Sequence, residues 1–199
     1  MKVVLLKKQT EIPTTNSYLV FNDKIRHDNT TTLVDIGYDP SIIYEIKKTL
    51  KSTGREKVNR VILTHQNSNH KGIIRTIKET YNPRIYSVTK DDSADEFLQD
   101  GQIIRICGYA FEIIHVSVNS HSCICLYSKE AKILFSGNMP LEIISIGGSY
   151  QKQFVETLEK LRNLDIKTIF SGYEMPFRKN IKRILDNTLK NVKTSGLFL

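Results

Sequence analysis

The sequence has no tryptophan, only three cysteines and five prolines in 199 residues, and only short apolar runs. Each shortage excludes something. Three cysteines are an odd and sparse count, unsuited to the disulfide framework of a small secreted scaffold, and they fit a reducing, cytoplasmic setting. The five prolines and ten glycines do not gather into a linker and no segment repeats, so a single domain over residues 1–199 is expected. That length buries a sizeable core without staples. Runs such as Val3-Val4-Leu5-Leu6 fall far short of the roughly 20 residues that span a bilayer. The return to charge at Lys7-Lys8 comes too early for a secretory apolar region of about 7–15 residues, so no membrane partner is expected.

Acids are also in short supply: 21 Asp/Glu face 29 Lys/Arg, a net charge of +8. The excess attracts anions in general, and its placement says more than its sum. Residues 151–199 carry ten Lys/Arg and five Asp/Glu, a net of +5, whereas residues 1–150 carry nineteen and sixteen, a net of +3.

Strand and helix signals alternate along the chain. Residues 3–7, 17–22 and 31–35 read as a meander of short strands. From Pro40 to about Ser52, Ile42, Ile43, Ile46 and Leu50 recur at helical spacing, with Asp39 as N-cap and Gly54 as stop. A buried strand over 58–63, a helix over 70–80 and a strand over 84–88 follow. The second half reads as strands at 103–107, 110–115, 122–127 and 132–135, a helix over 150–161, a strand at 168–170, and a last helix from about Phe177 to Val192. Hairpins mixed with strand–helix–strand units predict an α/β sandwich rather than an all-parallel sheet. Cys123 and Cys125 flank Ile124 on one strand and share a face, which predicts packing rather than a redox pair; Cys107 reads as packing too.

The sharpest local signal is Val61-Ile62-Leu63-Thr64-His65-Gln66-Asn67-Ser68-Asn69-His70-Lys71-Gly72, a buried strand that runs into a polar loop and opens a helix. Strand ends of this kind are where α/β proteins place their sites. The segment resembles the metallo-β-lactamase superfamily, whose pattern here is Thr-His-x-His-x-Asp-His-x-Gly. Further segments agree in order: Asn16-Ser17-Tyr18-Leu19-Val20, Leu33-Val34-Asp35-Ile36-Gly37, Asp100-Gly101, Ile114 to Ser120, Leu134-Phe135-Ser136-Gly137-Asn138 and Ile169-Phe170-Ser171-Gly172-Tyr173. The resemblance, to glyoxalase II-like hydrolases among others, spans essentially the whole chain. It implies a four-layer αββα sandwich.

The resemblance also implies one or two metal ions, usually zinc, holding a hydroxide that hydrolyses an ester, thioester, amide or phosphodiester. Residue by residue, the ligand pattern fails. His65 stands at the first ligand position and His70 at the fourth, but Asn67 and Asn69 replace the intervening His and Asp. Asn119 takes the place of the next His, Asn138 that of the bridging Asp, and Tyr173 that of the last His. The two surviving histidines belong to different ions in the family's arrangement, so each would be a lone ligand. Amides offer donors and acceptors but no charge to offset a dication. Asp35, a support residue in the family, is retained, which argues for a maintained scaffold.

The expectation is therefore a pseudoenzyme without a cofactor, binding an anionic small molecule or a protein in a polar pocket formed by the seven positions. Three alternatives stay open. One is a metal hydrolase with an unorthodox mononuclear zinc site, in which a shifted loop brings His121 beside His65 and His70; the plainer reading makes His115 at a strand end and His121 in a polar loop ordinary solvated histidines. Another is nucleic-acid binding through Arg178, Lys179, Lys182 and Arg183, which crowd the first two turns of the last helix. A structural role through homo-oligomers is the third.

Overall fold

A computed structural model describes residues 1–8, 14–23, 29–65, 71–89, 94–118, 121–195 and 197–198. The first sheet opens with an antiparallel meander of β1 (Lys2–Leu5), β2 (Tyr18–Phe21) and β3 (Thr31–Val34). Helix α1 (Ile42–Ser52) then carries the chain to β4 (Arg60–Leu63) and α2 (Lys71–Tyr81) carries it to β5 (Arg84–Ser87), each strand parallel to the last. Parallel neighbours need such crossovers because a tight turn cannot join them. The two-residue β6 (Glu96–Phe97) pairs with β5 at the edge.

The second sheet is built from hairpins. Strands β7 (Ile103–Ile106), β8 (Tyr109–Val118), β9 (His121–Ser128) and β10 (Ile133–Gly137) run antiparallel in sequence order. The short β11 (Tyr150–Gln151) leads into α3 (Lys152–Arg162), after which β12 (Thr168–Ser171) adds parallel to β10. Helix α4 (Ile181–Ser195) follows, and β13 (Leu197–Phe198) pairs with β11. Among the described residues no helix is long and apolar enough to cross a membrane.

Strand parity sorts the core into three layers. On β2, Tyr18 and Val20 face the space between the sheets while Leu19 and Phe21 face α1 and α2; on β9, Ile124 and Leu126 face inward while Cys123, Cys125 and Tyr127 face α3 and α4. A slip of one residue would exchange the two sets, so the apolar pattern pins the register. The helices bury the matching stripe, Ile42, Ile46 and Leu50 on α1 and Ile181, Leu185, Leu189 and Val192 on α4. The result is the expected αββα sandwich. Between the sheets, Phe135 stacks on Phe170 at 5.0 Å and Tyr18 meets both edge-on, at 5.8 and 5.3 Å. These rings are the last apolar layer beneath the strand ends that carry the motifs. All three cysteines are buried thiols outside any disulfide, as their pattern predicts.

Several boundaries differ from the sequence reading. The last helix begins at Ile181, four residues late, because Phe177 exchanges backbone hydrogen bonds with Ile169 of β12, both 2.9 Å, and Asn180 takes a left-handed φ of 57°. Arg178 and Lys179 therefore precede the helix rather than lie on it. Asp39 lies two residues before the cap: its Oδ1 accepts the Ser41 N–H at 3.0 Å, and Ser41 is the N-cap residue. His115 lies inside β8 rather than at its end, with its N–H bonded to Asp100 Oδ1 at 2.7 Å. His121 is the first residue of β9, paired with Val118, rather than a loop residue.

Candidate functional site

Of the seven positions singled out by the sequence, His65, Asn138 and Tyr173 are described, while Asn67, Asn69, His70 and Asn119 lie outside the described residues. The side chain of His121 lies outside them as well. His65 follows β4, Asn138 follows β10 and Tyr173 follows β12, so all three leave the ends of strands.

Those ends touch through the residues just before the three positions. Gly137, with φ of +54°, lies against Thr64: a Cβ on it would stand 2.5 Å from the Thr64 hydroxyl oxygen. The Gly172 N–H donates to the Gly137 carbonyl at 3.0 Å, and a Cβ on Gly172 would overlap that same oxygen. Both positions need glycine because backbone approaches there leave no room for a side chain. Across the sheets, the Ile124 N–H donates to the Thr64 carbonyl at 2.8 Å.

A polar segment ahead of β2 completes the wiring. The Asn16 N–H donates to the Gly172 carbonyl, and its Nδ2 donates to the carbonyls of Ser171 at 3.0 Å and Glu174 at 2.8 Å. The Tyr18 hydroxyl donates to the Ser171 carbonyl at 2.6 Å, and burial holds its proton well above the usual phenol range. Sequence reasoning had Asn16 only as a motif letter and missed Thr14, Thr15 and Thr64 as partners. The signal was present: Thr14-Thr15-Asn16-Ser17 is a polar run leading straight into a fully buried strand, and all four residues are themselves buried. Buried polar groups of this kind are bonded.

His65 is 5 % exposed and sits at the end of a relay. Asp35, held at φ of 56°, accepts the Thr64 N–H on Oδ1 at 2.8 Å and the Thr64 hydroxyl on Oδ2 at 2.7 Å. With Asp35 ionised, that hydroxyl has given away its only proton, so it meets His65 Nδ1, 3.0 Å off, as an acceptor. His65 Nδ1 then donates to that hydroxyl, and Nε2 faces the Thr15 hydroxyl at 3.3 Å. Burial pushes the Asp35 carboxyl above its usual range, while the nearby His65 and the two Thr64 hydrogen bonds pull the other way.

Exposure rises outward. Asn138 is half-buried, Tyr173 is 47 % exposed, and the neighbouring Glu174 is exposed with its carboxylate against the Ser171 hydroxyl. Glu174, which the sequence reading passed over, is the carboxylate beside Tyr173.

Residues 13–103 match the family described as the Metallo-beta-lactamase superfamily, covering β2 to the start of β7. Over that stretch the chain is similar to the superfamily, and it shares the fold of solved structures of that kind. It is 26 % identical over 153 residues to an atrochrysone carboxyl ACP thioesterase of Aspergillus novofumigatus, covering 75 % of this chain and 45 % of that protein. It is 23 % identical over 139 residues to a hydroxyacylglutathione hydrolase of Bdellovibrio bacteriovorus, covering 64 % of this chain and 54 % of that one. The chain thus spans about half the length of the curated relatives it matches. A solved beta-lactamase domain protein from Burkholderia ambifaria superposes with a TM-score of 0.69 at 17 % identity, over 94 % of this chain and 72 % of that one.

The metal centre that the resemblance implies is not matched by the donor types at the seven positions. Its seven positions hold two imidazoles, four amides and a phenol, with no carboxylate. A zinc site takes three or four protein ligands from His, Cys, Asp or Glu, and hard cations depend on carboxylates. Among the described residues no three such side chains gather. His65 Nε2 faces the Thr15 hydroxyl.

Proposed function

We propose that this chain is a non-catalytic binding member of the metallo-β-lactamase superfamily, a pseudoenzyme that takes a small polar or anionic molecule at the strand ends. One observation carries the reading: at the ligand positions five residues are amides or a phenol, and the retained His65 has a hydroxyl at each ring nitrogen. Amides, hydroxyls and a phenol suit a ligand held by hydrogen bonds, since each group can donate or accept as the guest requires. The scaffold supports the same reading, because the strand ends are tied by backbone and amide bonds that need no ion between them.

The relatives named as a thioesterase and a hydrolase supply the competing function, hydrolysis at an unorthodox single-ion site using His65, His70 and His121. Elemental analysis after incubation with zinc and exhaustive dialysis separates the two. The expected metal content is far below one ion per chain and unchanged by His65→Ala. One zinc, iron or manganese ion per chain, lost on His65→Ala, would defeat the pseudoenzyme reading. A small-molecule thermal-shift screen then finds the ligand, since binding to the folded form alone raises the melting temperature by mass action. Asn138→Ala is expected to abolish the shift.

A further inference from the structure

The segment joining β12 to α4 has two unusual properties. Its side chains Tyr173 and Met175 are 47 % and 74 % exposed, although the backbone that carries them is fixed on both sides. Before Met175, the Glu174 carbonyl accepts Asn16 Nδ2 at 2.8 Å; after it, Phe177 exchanges two backbone hydrogen bonds with Ile169. The backbone on either side of Met175 is anchored, so the methionine keeps its place at the surface.

Arg178, Lys179, Lys182 and Arg183 follow at once, and all four are exposed. Five of the six other basic residues after residue 150 are paired: Lys152 with Glu156, Lys160 with Glu112, Arg162 with Asp186, Lys167 with Asp165 and Lys193 with Glu159, the exception being Lys190 on α4. The four cations have no ion pair or side-chain hydrogen bond among the described residues. The nearby acids are engaged, Glu174 with the Ser171 hydroxyl and Asp186 with Arg162. The segment after β12 therefore carries four exposed cations without ion-pair partners, and they follow directly in sequence on the exposed Tyr173 and Met175.

We infer that this surface docks an acidic amphipathic segment of a partner protein, with Met175 and Tyr173 receiving its apolar side chains and the four cations receiving its carboxylates. Methionine, tyrosine and arginine are enriched at the centres of protein interfaces. A nucleic acid would use the cations but has no use for a fixed, exposed methionine, and the cations lack interleaved aromatics for stacking bases. A second copy docked face to face by a two-fold axis would bring like charge against like charge, which costs free energy. The inference stands whether or not the neighbouring site is catalytic.

Three probes test it by fluorescence anisotropy at about 0.15 M salt: a Glu-rich peptide with leucines at helical spacing, the same composition with the leucines scrambled, and a DNA duplex. The ordered peptide is expected to bind about tenfold or more tightly than either of the others. Arg178→Glu with Arg183→Glu should weaken it about tenfold or more. Met175→Ser should weaken the peptide severalfold and leave the duplex unchanged, and these exposed positions put folding at no risk. Equal binding of ordered and scrambled peptides, tighter binding of the duplex, no binding of any probe, or self-association that the double variant abolishes would each overturn the inference.

Discussion

Just inside the strand ends, Asp35, Thr64, Gly137 and Gly172 are buried and linked in a chain of contacts; one residue further out, Asn138 is half-buried and Tyr173 is 47 % exposed. In the resemblance read from the sequence, the inner set matches the superfamily's motif letters and the outer set differs from them. The inner groups satisfy one another, with carboxylate to hydroxyl, carbonyl to amide and glycine to glycine, so their energetics do not involve an ion. Buried bonding among the inner residues thus holds the strand ends together independently of which side chains stand one residue further out.

The strongest challenge to that contrast is to restore the outer set alone. A variant combining Asn67→His, Asn69→Asp, Asn119→His, Asn138→Asp and Tyr173→His should bind zinc with about 8 kcal/mol or more, micromolar or tighter by calorimetry. Failure to bind would mean that the inner geometry has drifted too. Next in size, Asp35→Ala strips the buried Thr64 N–H and hydroxyl of their acceptor and should lower stability to urea by about 3 kcal/mol. A loss below about 1 kcal/mol would deny the inner set its structural role. Gly172→Ala forces a Cβ into the Gly137 carbonyl and should cost about 2 kcal/mol, against about 0.5 kcal/mol or less for Tyr173→Ala one residue on. Equal losses would erase the distinction.

The smallest effect is in the pH dependence. Asp35 has its proton affinity raised in the folded chain, chiefly by burial. Protonation at this carboxyl then favours folding: that contribution is fully present below the ordinary value of 3.8 and is lost as pH rises through the folded value. An amide at this position cannot titrate, so the stability of the wild type relative to Asp35→Asn should fall between about pH 4 and neutrality in parallel urea titrations. A relative gain over that interval would show a carboxylate whose ion-pairing outweighs its burial.

Periodicity made most of the architecture legible. Ile42, Ile46 and Leu50 located α1, and the alternation of Cys123, Ile124 and Cys125 put the thiols on one buried face. What escaped was decided by partners distant in sequence. Phe177 has helical spacing to Ile181, yet a backbone pair with Ile169 holds it in an extended bridge. Glu96 and Phe97 are a strand only because β5 offers an open edge. The Thr15 hydroxyl reaches His65 from 50 positions away, a contact no local pattern encodes.

The cysteines have a practical corollary. Cys107, Cys123 and Cys125 are all buried, with the Cys123 thiol pushed up to about 12 by burial and by the neighbouring Asp35, and Cys125 held well above its usual range by burial and by Cys123. The thiolate is the reactive species, so at neutral pH the folded protein is silent toward maleimides and disulfide reagents. A cysteine substituted for Met175 would be the one thiol such a reagent meets. It would carry a dye or spin label to the surface proposed for docking, with no native cysteine removed.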